Sequence, residues 1–335
     1  MATPRISILL PVFDAGDALP ACLRSIQRQT VDDWECVLVD DGSTDASLAW
    51  ARRVAAADPR FRVLARPHEG LVATLEAGLD HCRGDLVARM DADDVMHRER
   101  LASQADSLDA QPQLAALGSH VRLFPRRGLG EGMRAYERWL ASIDSPSRVR
   151  EEAFVECPVA HPTLMIRREV LRALRYRDCG WPEDYDLLLR LLERGDCVDV
   201  IPRRLLCWRQ GPKRLSRTSD SYAIARFTAC KAAFLARGFL ANSDGYVLWG
   251  YGGTGRALQR ALREQGKRPA AIVELHPRRL GETIQGAPVI RPERLPELPR
   301  RPVVVSVAGE TARAEIRTDL ATMGFLELRD YVCAA

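Results

Sequence analysis

Over the first ninety residues, short apolar runs ending in polar turns alternate with segments of helical spacing, and that rhythm leaves few folds open. Residues 6–12, 35–40, 61–66 and 85–90 read as strands rich in Ile, Leu and Val. After the loop 13–16, Leu19, Leu23 and Ile26 recur at helical spacing, with Asp17 expected as the N-cap and Pro20 in the first turn. Thr44 or Asp45 is expected to cap the next helix. Leu71, Leu75 and Leu79 mark one face of a helix over 69–82. This alternation predicts an α/β fold, a mostly parallel sheet sandwiched by helices. Ligands of such sheets meet the carboxyl ends of the strands.

Three of those ends carry chemistry. The first is Pro11-Val12-Phe13-Asp14, the second Asp40-Asp41-Gly42-Ser43, the third Arg89-Met90-Asp91-Ala92-Asp93-Asp94. Gly42 permits a tight turn. Asp91 and Asp93, one residue apart, can point the same way from an extended chain and share one hard cation. Mg²⁺ and Mn²⁺ take such oxygen ligands and complete their shells with phosphates. Alone, the pair also reads as a solvated acidic turn. Acids converging on one sheet edge repel unless a cation or donors compensate, and the convergence favours a site.

The totals narrow the classes. A chain of 335 residues has room for two domains. A net charge of +4 gives no reason to expect nucleic acid, and does not oppose an anionic ligand or membrane surface. The 9 cysteines form no C-x-x-C pair and no Cys/His cluster at zinc spacing, so they read as reduced thiols of a cytosolic protein. The start leads straight into a strand without a signal peptide, and no apolar run reaches the ~18 residues of a membrane span. A cytoplasmic protein is expected, with peripheral association at the inner face of the membrane left open.

Taken in order, the segments 11–14, 39–45 and 88–94 resemble family 2 glycosyltransferases of the GT-A fold. The resemblance implies that Pro11, Phe13, Asp14 and Asp40 hold the nucleotide base of a nucleotide-sugar donor, with Asp41 and Ser43 nearby. It puts Arg89 and Asp91 on the donor side and assigns the metal to Asp91 and Asp93, with UDP the default nucleotide. Asp94 either joins this site or serves as a cap or as a bracing acid behind the ligands.

Further on, a helix is expected over 98–108, a strand over 118–124 and a basic loop over 125–132. His161 lies in a segment resembling the family's approach to the acceptor region. It either borders that pocket or is a structural histidine. Gly180-Trp181-Pro182-Glu183-Asp184 opens an apolar helix over 187–192, so Glu183 and Asp184 sit in its first turn, where the helix dipole favours acids. The resemblance implies more. Its Glu-Asp pair supplies the general base of an inverting transfer, here Asp184, to a hydroxyl of a glycan, a lipid-linked glycan or a small molecule. Trp181 is an acceptor-side stacking candidate or a core residue. One departure stands out: Gly211 occupies the place of an expected His, although Pro212 and the stretch from Arg214 to Arg217 fit the pattern. Lys213 and Arg214 are candidates to carry diphosphate charge instead. A second reading follows, a non-catalytic binding protein with a degenerate GT-A site.

After a helix over 220–235 and a linker over 238–243, a new pattern begins. A strand over 245–249 runs into Gly250, Gly252 and Gly255 at G-x-G-x-x-G spacing, then a helix over 256–265. The strand over 270–274 ends in Glu274, where a ribose-binding acid is expected. A strand over 303–307 and a helix over 312–323 follow. This part resembles small Rossmann-like nucleotide-binding domains, which implies a dinucleotide such as NAD. Glycines serving only turns and packing are the alternative. The expected domains are 1–240, GT-A, and 241–335, Rossmann-like.

Overall fold

The computed structural model describes residues 3–211, 214 and 219–335. Pro212, Lys213 and Arg217 lie outside the described residues. The chain divides into two compact units: residues up to 149 with 159–179 and 190–214, and residues 150–158 and 180–189 with everything from 215 on.

The first unit opens with β1 (Ile6–Val12), α1 (Leu19–Gln27), β2 (Trp34–Asp40), α2 (Ser47–Ala57), β3 (Phe61–Ala65), α3 (Leu71–His81) and β4 (Leu86–Arg89). It continues with β5 (Val95–Met96), α4 (Arg100–Ala110), β6 (Leu114–Phe124) and α5 (Glu131–Ala141). Then come β7 (Met165–Arg167), α7 (Arg168–Leu174) and β8 (Cys197–Arg209), while α6 (Pro146–Glu152) and α8 (Glu183–Glu193) each have residues in both units. One sheet takes the order β3-β2-β1-β4-β7-β6-β8-β5. β1 pairs in parallel with β2 and β4, and β2 with β3. β7 runs antiparallel to β4 and β6, and β6 is parallel to β8. β1 and β2 are buried along their whole length, which is why they read as continuous apolar runs. The order reverses at β1, so the ends of β1, β2 and β4 flank a switch point of the kind that binds ligands in open α/β sheets.

Two polar side chains in these strands are compensated in place. Ser7 donates to Glu35 Oε1 at 2.7 Å, and Arg83 Nε donates to Glu35 Oε2 at 2.9 Å. Arg62 adds an ion pair at 3.2 Å. Together they make burial of the Glu35 carboxylate tolerable.

The second unit contains α9 (Ile224–Arg237), β9 (Tyr246–Trp249), α10 (Gly253–Glu264), β10 (Pro269–Val273), β11 (Thr283–Ile284), β12 (Ala287–Ile290), β13 (Val303–Val305), α11 (Glu310–Thr322) and β14 (Tyr331–Cys333). Its sheet order is β11-β12-β10-β9-β13-β14, parallel throughout except for the β11–β12 pair. This order also reverses, at β9.

Several expectations need correction. Asp17 does not cap α1: it lies in a short 3₁₀ turn, and Ala18 holds the cap position without a side-chain bond. Ala46 caps α2, yet Asp45 Oδ1 still accepts the Ser47 N–H at 2.8 Å and satisfies a first-turn donor. The strand expected at 118–124 starts at Leu114, and the basic loop gives way to α5 at Glu131. The helix expected at 256 starts at Gly253, taking Gly255 into its first turn. Among the described residues no helix is long and apolar enough to cross a membrane.

Candidate active site

β1 and β2 bring their loops together through a bond from Asp41 N to the Val12 carbonyl, 2.8 Å. Asp14, at φ +43°, braces that junction: its Oδ1 accepts from Thr44 N at 2.7 Å, and its own N–H donates to Ser43 Oγ at 3.1 Å. Pro11 is buried within β1. Phe13 is 48% exposed, and its ring stacks on His68 at 4.2 Å. Asp40 is 1% exposed; its Oδ2 accepts from Ser43 N at 3.2 Å, while its Oδ1 has no partner among the described residues. An unsatisfied buried carboxylate oxygen is costly, and a ligand N–H would relieve it.

Asp41 is differently employed. Its oxygens accept the N–H groups of Glu69 at 2.9 Å and Gly70 at 3.0 Å, ahead of α3, and His68 Nδ1 lies 2.8 Å from Oδ2. The carboxylate holds the entry to a helix. Gly42, at φ +75°, makes the turn possible, because a Cβ there would meet His68 N at 2.8 Å.

β4 ends in the acid loop. Ligand atoms of Asp91, Asp93 and Asp94 lie within 4.8 Å of one another. Arg89 is buried beneath and donates through Nη2 to Asp91 Oδ1 at 2.7 Å. Arg100, fully buried, donates through Nη2 to the Arg89 carbonyl at 2.8 Å. Burial pushes its pKa down to about 9. Burial, then the Asp91 charge, pushes the Asp93 carboxyl up. Asp94 is raised well above the carboxylate range, by burial first and then by Asp91 and Asp93. Asp94 Oδ2 has no partner among the described residues. Three crowded carboxyls with a buried unsatisfied oxygen offer the hard donor set that suits Mg²⁺ or Mn²⁺.

β8 closes on this loop. Arg209 Nε donates to the Asp93 carbonyl at 2.6 Å, and its guanidinium lies over Phe124 at 4.5 Å. Arg214 stacks on Trp208 at 4.4 Å, and its charge acts on both Asp93 and Asp94. Among the described residues, a Cβ at Gly211 would meet nothing within 4 Å.

His161 is buried, with Nε2 3.1 Å from the Tyr176 hydroxyl. Burial, then the nearby Arg89 charge, holds its pKa well below the usual imidazole value. It stays neutral, as a structural histidine would.

In the second unit, Glu183 and Asp184 open α8 as expected. Glu183 is buried and accepts from the Tyr222 hydroxyl at 2.8 Å. Asp184 is only half-buried; its Oδ1 accepts the Tyr185 N–H at 2.7 Å. Trp181 Nε1 donates to Asp186 Oδ1 at 3.2 Å. Gly250 has φ +98°, and a Cβ at Gly255 would run into the Gly250 carbonyl and lie 2.7 Å from Ser306 Oγ. Gly252 faces open space. Glu274 accepts from Tyr251 N at 3.2 Å, Leu275 N at 2.9 Å and Arg279 Nη1 at 3.0 Å, so a ribose would compete with these bonds.

Arg100, Arg209 and His68 were not singled out from sequence. Arg100 sits on the inward face of α4, and an arginine there was the one available signal.

A mixed sheet that reverses at β1, with an acid loop after β4, defines a glycosyltransferase of the GT-A fold, and residues 7–175 match the family described as Glycosyl transferase family 2. The chain belongs to that family. It is 31% identical over 215 residues to the amylovoran biosynthesis glycosyltransferase AmsE of Erwinia amylovora, covering 63% of this chain and 78% of that one. It is 26% identical over 236 residues to an Escherichia coli UDP-Gal:alpha-D-GlcNAc-diphosphoundecaprenol beta-1,3-galactosyltransferase, covering 68% of this chain and 82% of that one. The crystal structure of S. aureus TarS residues 1–349 with UDP-GlcNAc superposes with a TM-score of 0.55 at 16% identity, covering 77% of this chain and 71% of TarS.

Proposed function

We propose that the protein is an inverting, metal-dependent glycosyltransferase that moves a sugar from a nucleoside diphosphate, UDP by default, to a hydroxyl of a glycan or lipid-linked glycan. The observation that carries this reading is the Asp91–Asp93–Asp94 cluster with the unsatisfied Asp94 Oδ2. Asp91 and Asp93 would hold Mn²⁺ or Mg²⁺. When bound, such an ion neutralises charge developing on the leaving diphosphate. Asp40 Oδ1 takes an N–H of the base, and Phe13, backed by His68, offers it a ring face. Arg214 shares the diphosphate charge that an imidazole at 211 would otherwise meet. Asp184 accepts the acceptor hydroxyl's proton as its oxygen attacks the anomeric carbon. The new C–O bond forms opposite the bond to diphosphate, whose electrons leave with the phosphate oxygen, so the anomeric centre inverts.

Names of relatives support the acceptor class: one is named for amylovoran biosynthesis, and the name of another specifies a diphosphoundecaprenol-linked sugar. A lipid-linked acceptor would bring the protein to the inner face of the membrane. The second unit reads as a Rossmann-like nucleotide-binding module. Its support is the reversal of strand order at β9 beside the Gly250–Gly255 turn. NAD remains its candidate ligand.

The test is a thermal-shift panel with UDP, GDP and dTDP and their sugars, with and without Mn²⁺ or Mg²⁺, and NAD(H) separately. A ligand that binds only the folded state raises apparent stability. A metal-dependent shift with one nucleotide diphosphate is expected. A shift with NAD alone moves the reading to a non-catalytic binding protein, which Gly211 also favours.

A further inference from the structure

The first unit carries a basic cavity whose lining includes none of Asp91, Asp93 and Asp94. It measures about 590 Å³, and its lining includes His97, His120, Pro202, Arg203 and Arg204. Its shape comes from an irregular strand pair. His120 of β6 pairs with Arg204 of β8, while the residue before it, Ser119, pairs with Ile201. Pro202 and Arg203 are therefore left over on β8, and bulges of this kind re-aim side chains.

A cationic row lies further along the same two strands. On β6, residues 120, 122 and 124 share a face, because strand side chains repeat every two residues. Arg122 pairs with Cys207, and Phe124 with Arg209. From His120 to Phe124 is a rise of about 13 Å. The row ends at Arg209, which lies over Phe124 and bonds the Asp93 carbonyl. Carboxylates neutralise part of this charge: Arg203 pairs with Glu99 at 2.6 Å, and Arg126 with Glu137. The side chains of Arg122 and Arg204 are exposed and form no hydrogen bond or ion pair among the described residues, although the Arg204 charge acts on Glu137. His120 is held by Nε2 against the Ile143 carbonyl at 2.9 Å. A concave surface dominated by one sign of charge concentrates ligands of the other sign.

We propose that this strip of β6 and β8 is a track for an acidic glycan, one whose sugars carry carboxylate or phosphate groups, which it leads toward the acid loop. Calling that glycan the acceptor rests on the function proposed above; the binding itself does not. Guanidinium groups match carboxylate and phosphate oxygens in pairs, which suits Arg122 and Arg204 to either.

The test uses the full chain in EDTA without nucleotide, so that the donor site contributes nothing. Fluorescent oligogalacturonate, a phosphorylated manno-oligosaccharide and neutral malto-oligosaccharide of equal length are titrated against wild type and Arg122→Ser/Arg204→Ser. Circular dichroism checks that the variant is folded; both positions are exposed. The expected result is binding of at least one acidic chain that weakens tenfold or more in the variant, the tighter chain naming the charged group. No binding of either acidic chain, equal binding of the neutral chain, or acidic binding unchanged in the variant overturns the proposal. Nucleotide binding by the wild type, measured separately with metal, tests the donor reading, so the two can fail independently.

Discussion

Arg209 and Asp94 hold two distant segments together: the Arg209 backbone N–H donates to Asp94 Oδ1 at 2.7 Å. Asparagine keeps that acceptor and removes a charge from a crowded cluster. Asp94→Asn should therefore melt no lower than the wild type. Asp94→Ala strands the N–H and should cost about 1–3 kcal/mol. Urea midpoints decide between them. Asp93→Asn should abolish the metal-dependent part of nucleotide stabilisation.

Asp184 is assigned proton transfer alone. Asp184→Asn should keep donor binding and lose about 10²–10⁴-fold in turnover. Wild-type transfer rates in that variant would remove the assignment.

Among the described residues nothing lies within 4 Å of a Cβ at Gly211, so none of them obstructs Gly211→His. The variant should fold normally and bind Mn²⁺ more tightly than the wild type by calorimetry. If the wild type shows no transfer and the variant does, the degenerate-site reading prevails.

Gly255 and Gly252 should answer differently to alanine. Gly255→Ala pushes a Cβ to within 2.7 Å of Ser306 Oγ and against the Gly250 carbonyl, and overpacking of this kind costs roughly 1–3 kcal/mol. Gly252→Ala meets nothing within 4 Å and should change stability by less than about 1 kcal/mol. Equal melting of the two variants would mean that the glycine turn relaxes.

Glu35 gives an acid-sensitive contribution. Burial pushes its carboxyl up, but bonds from Arg83, Ser7 and Arg62 outweigh burial and hold it below the ordinary value. A depressed folded pKa means stability that is present above the unfolded value, ~4.3, and lost as pH falls through the folded one. Urea midpoints between pH 6 and 3 should fall more steeply for wild type than for Glu35→Gln. At pH 7 the variant should be less stable by roughly 1–3 kcal/mol.

The strands β1, β2 and β4 were legible because burial on both faces forces continuous apolar runs, and the loops after them because acids at strand ends stand out. β8 was not legible. Pro202, Arg203 and Arg204 interrupt its pattern, and only the irregular pairing with β6 accommodates them. Helix caps failed where alanine took the position, since the donors are met by a neighbour such as Asp45. Asp41 looked like its neighbour Asp40, but its two oxygens serve the backbone ahead of α3, a partner twenty-eight positions away that no local pattern reveals. Asp40 keeps one oxygen unmet, and that difference exists only in three dimensions.

Arg89 and Arg100 lie under the acid loop, one bonded to Asp91 at 2.7 Å, the other wholly shielded from water. Two cations below offset much of what three carboxylates present above. A divalent ion resting on such a loop would be held loosely until donor phosphates complete its shell, and would be free to leave with the spent nucleotide. On the function proposed above, turnover would then follow the free divalent-metal concentration, and the loop would gauge metal supply as well as seat the ion.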